Sequence, residues 1–149
     1  MTKFLLAVHV LAAIVAVGPV TVAASMFPPA ARRALAAPDD PRAAGTVGLL
    51  HRICRVYAGV GIAVPVFGFL TAGAMGVMGD AWLTVSIVLT VLAAIVLVVL
   101  VLPRQETFLE GAGTREATVR LAMFTGVFNL LWAVVTVLMI VRPGSTTGA

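Results

Sequence analysis

Four apolar runs, at about residues 4–27, 47–72, 81–102 and 119–141, constrain what this chain can fold into more than any other feature. A bilayer core of about 30 Å is crossed by roughly 20 helical residues rising about 1.5 Å each, and every run meets that length. Charges in them are few and lie near the ends. A small β-barrel would instead show shorter segments alternating every second residue, which are absent. Composition points the same way: 61% of the 149 residues are hydrophobic, 11% are charged and the mean hydropathy is +1.12. Soluble domains carry roughly 25% charged residues. The prediction is an all-α polytopic membrane protein, a four-transmembrane-helix bundle with short loops in a single integral membrane domain.

Lys3 ahead of an apolar stretch, with Val22-Ala23-Ala24 before Ser25, also suits a signal peptide. We read the first run as a retained helix. Basic residues set the orientation. The first connection carries Arg32, Arg33 and Arg42, with Arg52 and Arg55 just beyond it, and the third carries Arg104, Arg115 and Arg120. The second holds Asp80 and no basic residue. Connections one and three are therefore expected in the cytoplasm and both termini outside. The net charge of +4 is too dispersed for a nucleic-acid face and suits anionic lipid headgroups.

The first connection is proline-rich, with Pro28, Pro29, Pro38 and Pro41. Asp39-Asp40-Pro41 suits a turn, and residues 30–37 suit either a short interfacial helix or a plain basic loop. Glycines shorten the second connection and make helices two and three antiparallel neighbours. Pro103 is expected to end helix three, Thr114 to cap helix four, and Glu116 to pair with Arg120 four residues later. Pro19 and Pro65 predict bends inside helices one and two, and Ala12, Ala16, Gly59 and Ala63 predict close helix packing.

Few residues can do chemistry. No acidic residue lies deep in a run, and one cysteine, Cys54, excludes an internal disulfide. His9 is the polar ring in the first run, with three readings open: a hydrogen bond to a neighbouring helix or headgroup, axial ligation of a haem, and proton transfer or another metal role. His51, Arg52, Arg55 and Tyr57 begin the second run as a cationic group suited to lipid phosphate or a partner. Roughly 17 helical residues, about 25 Å, separate His9 from the end of its helix, so the two histidines belong near opposite faces. A haem shared between them within one subunit is disfavoured. His51 and Cys54 can share a helix face, but a metal site wants more ligands, so no metal or catalytic residue is assigned. Trp82 suits an interface anchor near the outer leaflet, Trp132 packing or cofactor contact, and Thr125, Asn129 and Thr136 bonding across helices or back to the backbone.

The opening from Phe4 through His9 to Gly18-Pro19, extending through His51 and Arg52 to Trp82, resembles the bacterial integral membrane proteins grouped as DUF2269. That family is similar to copper-resistance D-like and HemJ-like membrane proteins. The resemblance implies a multi-pass protein of the bacterial inner membrane. It also implies a haem-related role in which His9 would match a helix-one histidine. The lysine associated with haem chemistry in the HemJ-like group has no counterpart within a run here, where Lys3 is the sole lysine.

No complete catalytic or transport constellation is present in the sequence. The leading expectation is a non-catalytic small subunit or stabilising partner of a larger membrane complex, contacting lipids and either a membrane protein partner or further copies of itself. The alternatives are a haem-binding redox or haem-handling protein and an oligomeric transporter of ions or small solutes.

Overall fold

The structure, a computed structural model, describes residues 1–145. Its helices are α1 (Thr2–Ala36), α2 (Pro41–Val60), α3 (Ala63–Met75), α4 (Ala81–Ile95), α5 (Leu102–Thr107) and α6 (Arg115–Val141). Because α2 and α3 form one rod, as do α4 and α5 with their flanking π-helical turns, four rods run up and down. All four are long and apolar enough to cross a membrane. The protein is an all-α four-helix bundle of the polytopic membrane type. Connections one and three share one end, here the arginine end; connection two, the start of α1 and the end of α6 lie at the hairpin end.

α1 is the central rod, packing on α2, α3 and α6, while α4 pairs with α6. A stripe of Ala16, Val20, Ala23, Ala24, Phe27 and Ala31 recurs at helical spacing along α1 and is buried. Small side chains in that stripe let neighbouring backbones come close, the main source of helix attraction where lipid is as apolar as leucine. Ala16 belongs to it, whereas Gly59, expected to join it, is exposed. The main core continues through Val47, Leu50, Cys54, Leu97, Val101 and Leu121. A small separate core of Ala72, Val77, Trp82 and Leu83 closes the hairpin end.

Two expectations about helix ends are corrected, each at a proline, and the bend expected from Pro65 is found. α1 does not stop near Phe27: it passes Pro28 and Pro29 and ends at Ala36, so residues 30–36 are neither a loop nor a separate interfacial helix. The two prolines remove backbone donors, yet their fixed φ suits a helix, and burial of Phe27, Pro28 and Ala31 keeps the rod in place. The ring of Phe27 meets Phe108 edge-on, with centroids 5.8 Å apart. After the turn, the Asp40 carboxylate accepts from the Arg42 N–H at 2.9 Å and Pro41 opens α2.

Pro65 acts four residues upstream of itself, where its ring would press on the Gly61 carbonyl. There the rod tightens: Ile62 N–H donates to the Gly59 carbonyl at 3.2 Å and Val64 N–H to the Gly61 carbonyl at 3.1 Å, which separates α2 from α3. Pro103 does not end the third rod. The turn before it widens over Val96–Val101, where Leu102 N–H reaches back five residues to the Leu97 carbonyl, and Pro103 falls in the first turn of α5. A missing donor is harmless in a first turn. The rod continues to Ala112, with Gly111 at φ 92, a conformation other residues resist.

Thr114 caps α6 by accepting from the Ala117 N–H at 3.1 Å. The expected Glu116–Arg120 pair is not formed; both side chains are exposed, where pairing gains little against the entropy of holding two long chains.

Candidate functional site

The two histidines occupy different environments. His9, half-buried on α1, lies against α3 with Nδ1 2.9 Å from the Val64 carbonyl oxygen. A carbonyl only accepts, so Nδ1 carries the proton and donates, leaving the ring's lone pair on Nε2 when neutral. One turn along α3, Gly68 makes room for the ring: a Cβ there would stand 3.0 Å from His9 Cε1. The bond and the glycine together join α1 to α3 through one side chain.

His51 lies toward the arginine end of α2 and is only 7% exposed. Expected to reach outward with its arginine neighbours, it turns Nδ1 inward to Gln105 Oε1 on α5, at 2.9 Å. The Gln105 amide Nε2 donates in turn to Cys54 Sγ at 3.6 Å. Gln105 and Cys54 are fully buried, so this chain of contacts satisfies three polar groups in the core. His51 and Cys54 do share a helix face, and the Gln105 amide touches both. Among the described residues, no group of three or more His, Cys, Asp or Glu comes together to hold a metal ion.

Gln105 is not legible as a core residue in the sequence, because Pro103 is expected to end the helix before it. Flanked by Arg104, Glu106 and Thr107, it reads as one more polar residue of a connection, so the sequence offered no signal that singles it out. The widened turn before α5 supplies what the sequence conceals: an extra residue per turn rotates all later side chains about the axis, and Gln105 then faces α2.

Arg52 and Arg55 remain exposed beside His51, and Tyr57 is half-buried against the main core. His51, Arg52, Arg55 and Val56 line a surface depression of about 430 Å³. Neither arginine has a hydrogen bond or ion pair among the described residues. Arg104, by contrast, donates to the Leu100 carbonyl at 3.0 Å and lies 4.4 Å from the Phe124 ring centre. A second depression, of about 210 Å³, opens beside Arg104, Glu116 and Arg120 at the third connection.

Polar groups deeper in the rods mostly satisfy themselves. The hydroxyls of Thr71, Ser86, Thr90 and Thr136 donate to carbonyls one turn back. Asn129 is different, since its Nδ2 donates across to Ser25 Oγ on α1 at 3.0 Å. Thr125, expected to bond across helices or to its backbone, has a buried hydroxyl oxygen with no partner, as do Thr21 and the Asn129 carbonyl oxygen. Trp82 is buried, its indole N–H donating to Asp80 Oδ2 at 2.8 Å, with Arg142 over its ring. It packs as a cap on the hairpin end.

No family model, no curated protein and no solved structure matches this chain.

Proposed function

We propose that this protein is a non-catalytic small subunit that stabilises a larger membrane assembly, docking through the face shared by α1 and α6. The supporting observation is the exposed Ser25–Asn129 hydrogen bond. Asn129 lies about 9 residues beyond Arg120 and about 13 before Arg142, close to the middle of a roughly 30 Å hydrocarbon layer. The Ser25 hydroxyl proton and the second Asn129 amide N–H have no acceptor among the described residues. Facing acyl chains, such donors are costly; an acceptor on a partner helix relieves them. Exposed Ala122 and Gly126 beside Asn129 permit a close approach.

Orientation belongs to the same reading: connections one and three lie in the cytoplasm and both termini outside, as the arginine bias directs. Purification from native membranes in mild detergent should yield a stoichiometric partner, and Ser25→Ala with Asn129→Leu should release it while leaving the bundle folded. A solitary wild-type monomer overturns the proposal.

A second reading, haem binding at the hairpin end, is favoured by the His9 Nδ1–H bond to the Val64 carbonyl. Metal-ligating imidazoles are commonly oriented by such a bond, which leaves Nε2 available to iron. A haem held there would supply one-electron redox chemistry. Protein from haem-replete cells should then show a Soret band that His9→Ala removes; no band in the intact protein sinks this reading.

A further inference from the structure

We infer that His51, Arg52 and Arg55 form a binding site for a phosphate group at the arginine end of the bundle. Arg52 and Arg55 stand three residues apart, one turn along the same side of α2. Both are exposed, and among the described residues neither has a polar partner. Together with His51 and Val56 they line the depression of about 430 Å³. His51 is held in that wall from behind: its Nδ1 is committed to Gln105, so Nε2 is the nitrogen left for a ligand. Gln105 acts as a positioning residue, since it orients the ring without lining the depression.

The level in the membrane selects the ligand. From Arg55 to the end of α3 no charge interrupts about 20 residues, a length of roughly 30 Å, which matches the hydrocarbon thickness. Arg104 and Arg120 close the uncharged parts of the third and fourth rods at the same end. Arg52 and Arg55 therefore stand where lipid phosphates lie. Guanidinium groups keep their charge and match phosphate oxygens with paired N–H donors. A phosphate presents oxygens in several directions, so two guanidinium groups and an imidazole can engage it together; a carboxylate offers a single plane.

The test uses the full chain, delipidated in a neutral detergent and labelled at histidine Cε1 for NMR. His9, at the other end, serves as the internal reference. Titration with short-chain phosphatidylglycerol should move the His51 signal and leave His9 unchanged, and the R52Q/R55Q variant should need about tenfold more lipid or worse. Inorganic phosphate added separately identifies the source: movement of His51 at similar concentration assigns the site to soluble phosphate, and movement with lipid alone assigns it to a headgroup. Either result supports the site. A His51 signal indifferent to both, a His9 signal that moves equally, or a double variant that responds like the wild type overturns it. The wild-type titrations are decisive even if the variant fails to fold, and R52K/R55K, which keeps charge but loses the paired donors, should bind with intermediate strength.

Discussion

Around the arginine end, Phe27, Ala31, Val47, Cys54, Val101 and Gln105 are almost completely buried, whereas at the hairpin end no residue of α1 before Ala16 is buried and α3 buries only Thr71 and Ala72. The first region draws on all four rods at once, Leu121 of α6 included, with aromatic and aliphatic side chains interlocked around one polar chain of contacts. In the second, α1 pairs with α3 and α4 with α6, and the small core at Trp82 closes the tip. The difference follows from solvent. Rods that project past the hydrocarbon must bury apolar surface against one another, while rods within it can leave apolar faces to lipid. Where lipid covers the faces, single polar contacts such as His9 to Val64 carry more of the specificity.

That contrast can be broken by experiment, with Cys54 as a built-in reporter because it is buried in the first region only. The largest effect is expected for Phe27→Ala, which should cost about 3–5 kcal/mol in denaturant unfolding from mixed micelles and speed alkylation of Cys54. Gln105→Leu comes next: it strands His51 and should cost about 1–3 kcal/mol, again with faster Cys54 alkylation. Gly68→Val drives a side chain into the His9 ring and should cost about 1–3 kcal/mol, but Cys54 should stay protected. If Gly68→Val exposes Cys54 as fully as Phe27→Ala does, the two ends unfold as one unit and the comparison fails. His9→Leu removes one hydrogen bond and should cost about 0.5–1.5 kcal/mol, without changing Cys54 alkylation. Smallest is Glu116→Gln, whose unpaired exposed carboxylate should change stability by less than about 0.5 kcal/mol.

How far the sequence disclosed these regions differs between them. The polar ring in the first run was visible, since histidine in hydrocarbon demands a partner, but the partner was a backbone carbonyl, which no residue pattern announces. Its companion Gly68 could be read only as one of several small residues. His51, Arg52 and Arg55 were legible as a cationic group, yet the inward turn of His51 was not. Its partner lies 54 residues away, on a rod that Pro103 is expected to end. Proline rules describe isolated helices, and here packing outweighed them at Pro28 and Pro29 while a widened turn absorbed Pro103.

By itself the sequence determined the solvent, the class and the number of rods, because about 20 uncharged apolar residues in succession have few stable arrangements other than a helix across a bilayer. Its arginines also favoured one end for the cytoplasm. Only the tertiary structure decided where the rods end, which histidine nitrogen is committed, and that Gln105 joins His51 to Cys54. Those features depend on the angular register between helices distant in sequence, and one extra residue in the turn at Val96–Val101 resets that register without leaving a periodicity to read.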